Sequence, residues 1–310
     1  MTTVSPIRIG TRDSKLALWQ ANRVKDLLEQ SGHACTLVSV KSEGDLDLVT
    51  PLYAMGVQGV FTKTLDAYLL SNKIDIAVHS MKDVPTQLAQ GIAQAAVLER
   101  GNTDDILVLK NAAIHTDLSE QQIIGTGSVR RKAQWLHRYP HHHTDNLRGN
   151  VQTRLQKLKD SNWYGAIFAA AGLERMHLRP DEAMVLDWML PAPAQGAVMV
   201  VCRTEDNALL EKCGKLNHVL TALCTKIERD FLKALMGGCS TPIGALATII
   251  DDRVIFKGNI LSPDGKDKME LEQTAPLIDA DNLGTETADV LLKQGAAAIV
   301  TKIRNAGSSY

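Results

Sequence analysis

Arginines and hydroxyl residues recur in this chain where a strand-like apolar run gives way to a helix-like one. Ile9-Gly10-Thr11-Arg12-Asp13-Ser14 and Ile124-Gly125-Thr126-Gly127-Ser128 are two such junctions, and Arg130 and Arg131 follow the second. Arg148 lies in Leu147-Arg148-Gly149-Asn150, Arg154 six positions on, and Arg175 after Ala-Ala-Gly-Leu-Glu. Residues 126–175 carry nine Lys or Arg against three acids (Asp145, Asp160, Glu174), an excess of +6 in a chain whose formal net charge is −1. The free N–H groups and positive end of a helix N-terminus attract anions, and the planar guanidinium fork matches a carboxylate. The implied ligand bears several carboxylates. Surface arginines in solvated ion pairs are the ordinary alternative.

Two further residues could carry chemistry. Asp83 ends the run His79-Ser80-Met81-Lys82-Asp83, just after a compact apolar strand. A carboxylate there can stabilise a cation or move a proton, or it can simply shape a turn. Cys239 follows Gly237-Gly238 and precedes Ser240-Thr241-Pro242, a loop able to present a thiol, although a free cysteine is more often a small buried hydrophobe. The other cysteines, Cys35, Cys202, Cys213 and Cys224, lie in apolar or helical runs. Five cysteines without a CxxC pair argue against a disulfide framework or a zinc site. His141-His142-His143 has no acid or cysteine spaced to complete a metal site, so no metal is expected.

These residues need a scaffold. In the first half, strand-like and helix-like pieces alternate: strand Ile7–Gly10, helix Ser14–Gln30, strand Cys35–Lys41, helix Thr62–Leu70 and strand Ile74–Val78. The pattern restarts with strands Ile106–Leu109 and Ile123–Gly125, helices Val129–Tyr139 and Val151–Lys159, and strand Ala166–Ala170. Such alternation predicts α/β lobes built on mostly parallel sheets, and the similar junctions after Ile9 and Ile124 suggest two related lobes. A strand over Ala197–Arg203 and a helix over Thr221–Leu235 follow. Short runs split by Asp251-Asp252 and Pro263-Asp264-Gly265 turns, then a helix near Leu283–Gln294, predict a small C-terminal α+β domain with an antiparallel sheet.

At 310 residues the chain is long enough for two or three domains. No apolar run approaches the twenty or so residues of a membrane span, and Met1–Ile9 lacks a secretory pattern, so a cytoplasmic location is expected. The near-neutral charge and 4% aromatic content do not suggest a nucleic-acid surface.

The ordered motifs resemble one family. Gly-Thr-Arg-Asp-Ser-Lys-Leu-Ala-Leu-Trp-Gln-Ala (10–21), Ala-Val-His-Ser-Met-Lys-Asp-Val-Pro (77–85), Leu-Arg-Gly-Asn-Val (147–151) and Ala-Ala-Ala-Gly-Leu-Glu-Arg (169–175) carry the likeness. Pro-Ala-Pro-Ala-Gln-Gly-Ala (191–197), Leu-Asn-His (216–218) and Gly-Gly-Cys-Ser-Thr-Pro-Ile-Gly (237–244) extend it. Together they are similar to the hydroxymethylbilane synthase (porphobilinogen deaminase) family. The resemblance implies two lobes like type II periplasmic binding proteins with a central cleft, residues 1–99 with 198–216 and residues 103–193. A third domain, residues 220–310, would carry a dipyrromethane cofactor thioether-linked to Cys239. It implies a transferase of tetrapyrrole biosynthesis. Four porphobilinogen molecules each lose ammonia, giving an electrophilic azafulvene, and join head to tail before water releases linear hydroxymethylbilane. By matching position, Asp83 is catalytic. Lys82, Thr126, Ser128, Arg130 and Arg131 hold cofactor carboxylates, and Arg12, Ser14, Gln20, Arg148, Arg154 and Arg175 bind substrate or chain carboxylates. A monomer without nucleic-acid or membrane partners is the family expectation.

The chain departs from the family pattern in places. Gly56-Val57-Gln58-Gly59-Val60-Phe61 replaces Gly-Gly-Lys-Gly-Leu-Phe, and Thr103-Asp104-Asp105 replaces Pro-Arg-Asp. Gly127 stands for serine, Gln152 and Ala194 for glycine, and Cys224 for arginine. None of these is Asp83 or Cys239, and activity is expected to survive them. A two-lobed carboxylate-binding module and a catalytically weakened homologue are the alternative functions.

Overall fold

A computed structural model describes residues 5–41, 61–111, 118–235 and 241–307. They divide into two compact units: 5–41, 61–101 and 196–223 form the first, and 102–111, 118–195, 224–235 and 241–307 the second.

The first unit contains β1 (Ile7–Arg12), α1 (Lys15–Gln30), β2 (Cys35–Val40), α2 (Lys63–Leu70), β3 (Ile76–Ser80), β4 (Ile92–Val97), β10 (Val198–Arg203) and α6 (Asn207–Gly214). Its sheet runs β2-β1-β3-β10-β4. Ile7, Ile9, Ile76, Val78, Val198 and Val200 pack against the buried stripe Ala21, Val24 and Leu28 of α1. That stripe recurs at helical spacing, so burying it fixes the helix on the sheet.

The second unit contains β5 (Asp105–Leu109), β6 (Ile123–Gly125), α3 (Val129–Arg138), β7 (His143–Asp145), α4 (Val151–Asp160), β8 (Gly165–Ala169), α5 (Ala170–Glu174) and β9 (Met184–Val185). Its sheet runs β7-β6-β8-β5-β9, the same order of elements as in the first unit. Ile106 and Val108 enter one apolar cluster with Phe168 and Leu158, whereas Leu107 joins another with Ile124 and Trp135. Alternate residues of β5 are therefore buried on opposite faces, as in a sheet covered on both sides. The two related lobes suggested by the sequence are present.

Four strands of each sheet run the same way, as expected of mostly parallel sheets, but one strand in each is reversed, which the sequence-based expectation did not include. β1 runs parallel to β2 and β3, and β6 parallel to β7 and β8. β10 lies antiparallel to β3 and β4, and β5 antiparallel to β8 and β9. In each sheet the reversed strand is the first one after the chain enters that unit from the other, so it is inserted against the local direction. Alternation of strands and helices does not reveal this reversal.

The remaining second-unit elements follow α7 (Val219–Ala234): strands β11 (Ile243–Ile250), β12 (Arg253–Leu261) and β13 (Lys268–Pro276) form an antiparallel sheet. Asp251 and Asp252 make its first turn with φ of 48° and 58°, the two positive values of a type I′ hairpin. Phe231 of α7 meets Phe256 with ring centroids 5.2 Å apart. The last helix is two: α8 (Leu283–Leu291) and α9 (Ala297–Gly307) flank a wider turn in which Gly295 has φ 118°. No described helix is long and apolar enough to cross a membrane.

Candidate active site

In the first unit, the expected site residues follow the carboxyl ends of two adjacent parallel strands. Arg12 closes β1, and its guanidinium carbon stands 4.1 Å from the Phe61 ring centroid, a cation–π contact that orients the side chain. Ser14 caps α1, its Oγ accepting from Ala17 N at 3.3 Å. β3 runs directly into a 3-10 turn, Met81–Asp83. Met81 N donates to Ala197 O at 3.0 Å, tying the turn to the residue before β10, and Val84 N donates to Met81 O at 3.1 Å, closing the turn on itself. Lys82 and Asp83 are half-buried on it. The Asp83 carboxylate makes no hydrogen bond or ion pair among the described residues. The carboxyl ends of parallel strands are where ligands of open α/β sheets bind.

Gln20 sits differently from expectation. It is buried, its Nε2 donating to Ser80 Oγ at 2.9 Å, with Oε1 3.2 Å from the same hydroxyl. Its carboxamide therefore fixes the residue at the end of β3 rather than pointing at a ligand.

In the second unit, the expected residues follow three neighbouring parallel strands. After β6, Thr126 N donates to Asp145 O at 2.8 Å, while Thr126 Oγ1 accepts from Ser128 N at 3.3 Å. Ser128 caps α3 as Ser14 caps α1, its Oγ accepting from Arg131 N at 3.4 Å. A Cβ on Gly127 would lie 2.5 Å from Leu147 O, so this backbone approach excludes any side chain there. After β7, Arg148 is 3% exposed, and Arg154 Nε donates to Gly149 O at 2.7 Å. Asn150 caps α4 by accepting from Thr153 N. After β8, Arg175 is the C-cap of α5, and burial lowers its pKa against the opposing charge of Glu174.

Arg130 and Arg131, expected to hold cofactor carboxylates, are both paired with Asp105. Arg130 Nη1 donates to Asp105 Oδ2 and to Leu190 O, both at 2.7 Å. Arg131 donates to Asp105 Oδ1 from Nε at 3.0 Å and Nη2 at 2.7 Å, and from Nη1 to Ile167 O at 2.9 Å. Gln195 Nε2 adds a bond to Asp105 Oδ1 at 2.9 Å. Burial by itself raises the Asp105 carboxyl pKa, but the charges and hydrogen bonds of the two arginines outweigh it and hold the pKa well below the ordinary carboxylate value. Two guanidinium charges against one carboxylate leave this buried cluster at +1. The Arg130 Nε, also buried, has no hydrogen-bond partner among the described residues. A surplus charge with an unused donor suits an acidic ligand such as a pyrrole bearing acetate and propionate, so these residues fit the expected cofactor.

Cys239 lies outside the described residues, as does the stretch 56–60. The sequence missed Asp105 as the counter-ion of the arginine pair and Gln195 as its second support. Asp105 is simply the first residue of an apolar strand, and no local signal pairs it with residues 25 positions later. Among the described residues no group of three or more His, Cys, Asp or Glu could hold a metal ion. His142 is instead packed in an aromatic cluster and accepts from Trp135 Nε1 at 3.2 Å.

Comparison with known proteins places the chain in a family. A family model described as porphobilinogen deaminase, dipyromethane cofactor binding domain, matches residues 7–211. A second, porphobilinogen deaminase, C-terminal domain, matches residues 222–293. Porphobilinogen deaminase of Shouchella clausii is 42% identical over 305 residues, covering 96% of this chain and 97% of that one. The chloroplastic enzyme of Oryza sativa subsp. japonica is 42% identical over 282 residues, with coverages of 88% and 79%. Among solved structures, the Bordetella pertussis BvgS periplasmic VFT2 domain aligns with a TM-score of 0.42 at 10% identity, over 68% of this chain and 86% of that one.

Proposed function

The chain belongs to the porphobilinogen deaminase family, and on that premise we propose how its residues divide the work of that family's reaction. The activity is that of a hydroxymethylbilane synthase, a transferase of tetrapyrrole biosynthesis. Four porphobilinogen molecules lose ammonia and are joined head to tail on a covalent dipyrromethane, and water releases the linear product. When bound, the dipyrromethane supplies the nucleophilic pyrrole carbon.

Asp83 is the catalytic carboxylate in this proposal. The loss of ammonia leaves positive charge on a pyrrole, and a fixed carboxylate beside it lowers the barrier without reorganising. The same oxygens can take up the proton shed by the pyrrole ring after coupling. The observation that carries the role is the lack of any partner for Asp83 among the described residues, on a turn held to Ala197 O through Met81 N and closed by Val84 N on Met81 O. A carboxylate already neutralised by an arginine would serve poorly.

Arg12, Ser14, Arg148, Arg154 and Arg175 are proposed to bind acetate and propionate groups of the substrate and growing chain. Gln20 contributes by holding Ser80. Thr126, Ser128, Arg130, Arg131 and Lys82 are assigned to the carboxylates of the dipyrromethane, with Cys239 as its thioether anchor. The +1 charge of the Asp105 cluster and the capped N-terminus of α3 support that assignment. The division into lobes 1–99 with 198–216 and 103–193, and a third domain 220–310, is likewise our reading, supported by three separate sheets. A cytoplasmic monomer acting on porphobilinogen, without nucleic-acid or membrane partners, completes it.

Intact-mass measurement tests the assignment. The purified protein should carry a covalent adduct that Cys239→Ala abolishes, and it should consume porphobilinogen. An unmodified chain after supply of porphobilinogen would refute the assignment.

A further inference from the structure

His79 lies on β3, one position before Ser80, and is 6% exposed. Its neighbours in the strand point alternately: Ile76 and Val78 enter the cluster against α1, and His79 faces the other side. There it lines a pocket of about 20 Å³ together with Thr62, Asp66, Val84, Gln87, Leu88 and Ala89. A single water molecule needs roughly 10–15 Å³. The His79 Nε2 is buried and has no hydrogen-bond partner among the described residues. Leaving a buried polar atom unpaired costs about 1–3 kcal/mol, so a buried polar atom beside a pocket of this size calls for a small hydrogen-bonding guest.

The walls of the pocket connect two places that matter. Thr62 and Asp66 belong to the start of α2 and hydrogen-bond each other. Val84, Leu88 and Ala89 belong to the segment that leaves Asp83. We propose that His79 is a positioning residue for Asp83: its Nε2 holds one water molecule in this pocket, and the water ties the segment after Asp83 to α2. The ring stays neutral, because burial, helped by the charge of Arg12, lowers its pKa to about 4. A neutral imidazole can accept from or donate to a water according to its tautomer. The proposal rests on Asp83 being the catalytic carboxylate.

The test uses the cofactor-loaded protein and two substitutions. Glutamine can place a polar nitrogen near the position of the histidine Nε2, whereas phenylalanine fills the space with carbon. His79→Phe should lower kcat by about 10- to 100-fold, the scale expected when a reacting group is displaced by about 1 Å. Its KM should stay within about twofold, because carboxylate binding is untouched, and His79→Gln should recover most of kcat. Wild-type kcat in His79→Phe, or equal loss in both variants, would overturn the proposal. Should His79→Phe fail to fold, a crystal structure of the wild-type holoprotein decides. Ordered water within about 3.2 Å of Nε2 is expected, and apolar surroundings with no such water would overturn it. Intact mass keeps the two readings apart: a wild-type protein without its adduct would overturn the function on which the proposal rests, whatever the His79 variants do.

Discussion

Ala194 holds the left-handed backbone conformation, at φ 62°, and gives its N–H to the Glu228 Oε2 at 2.6 Å. The second carboxylate oxygen accepts from Ala247 N at 2.8 Å. Glu228 is fully buried, so one carboxylate joins α7, β11 and the 191–197 segment. Ala194 stands where the family commonly has glycine, and strain of about 1–2 kcal/mol is expected for a side-chain-bearing residue in this conformation.

Both Glu228 oxygens face N–H donors, and an amide would turn an NH₂ group against one of them. Glu228→Gln should therefore destabilise the protein by about 1.5–3 kcal/mol. Ala194→Gly, by contrast, should change stability by less than about 1 kcal/mol, because relief of strain offsets the lost methyl and the greater freedom of the unfolded chain. Denaturant unfolding of the two variants measures both.

Asp105→Asn should cost about 3–5 kcal/mol at neutral pH, since it leaves two buried guanidinium groups without their counter-charge. The folded-state pKa of Asp105 is depressed, so its contribution is fully present above the unfolded carboxylate value of about 4 and is lost as pH falls below it. The stability gap between wild type and variant should accordingly narrow below about pH 4. A gap that does not change with pH would show that the carboxylate is not charged in the fold.

The opposite type of group gives a second pH window. His79 shifts from 6.5 to about 4, so between those values the unfolded chain binds a proton that the folded protein does not. Wild-type stability should fall by on the order of 3 kcal/mol as pH drops through this window. His79→Gln should lose correspondingly less, as chemical denaturation at pH 7 and pH 4.5 would record.

Gly127→Ser restores a residue common in the family, yet its Cβ would meet Leu147 O at 2.5 Å. Backbone cannot yield as a flexible side chain does, so a loss of about 1–3 kcal/mol is expected. The loop bearing Arg148 should shift with it and raise KM, which steady-state kinetics would detect.

Much of the scaffold was legible in the chain. The apolar spacing of Leu16, Leu18, Trp19, Val24, Leu27 and Leu28 marked α1, and the Asp251-Asp252 pair marked the hairpin it makes. The echo between Thr11–Ser14 and Thr126–Ser128 is now two serine-capped helices after equivalent strands. β4 escaped because Ile92–Val97 has weak alternation, and α9 because Gly295 separates it from the helix before. At the site, arginines announced anion binding, but the sequence does not show which arginines are already paired. That depends on Asp105 reaching Arg130 and Arg131 through the fold. The pocket at His79 depends on packing between separate elements and leaves no local sequence mark.

The central claim is that the Asp83 carboxylate, without a partner among the described residues, supplies the opposing charge in the reaction. The most direct measurement is kcat for Asp83→Asn, on protein whose adduct at Cys239 has been verified by intact mass. A fall of about 10²–10³ or more is expected, with the adduct still in place. Asparagine at 83 turning over porphobilinogen at the wild-type rate, fully loaded with cofactor, would contradict the account.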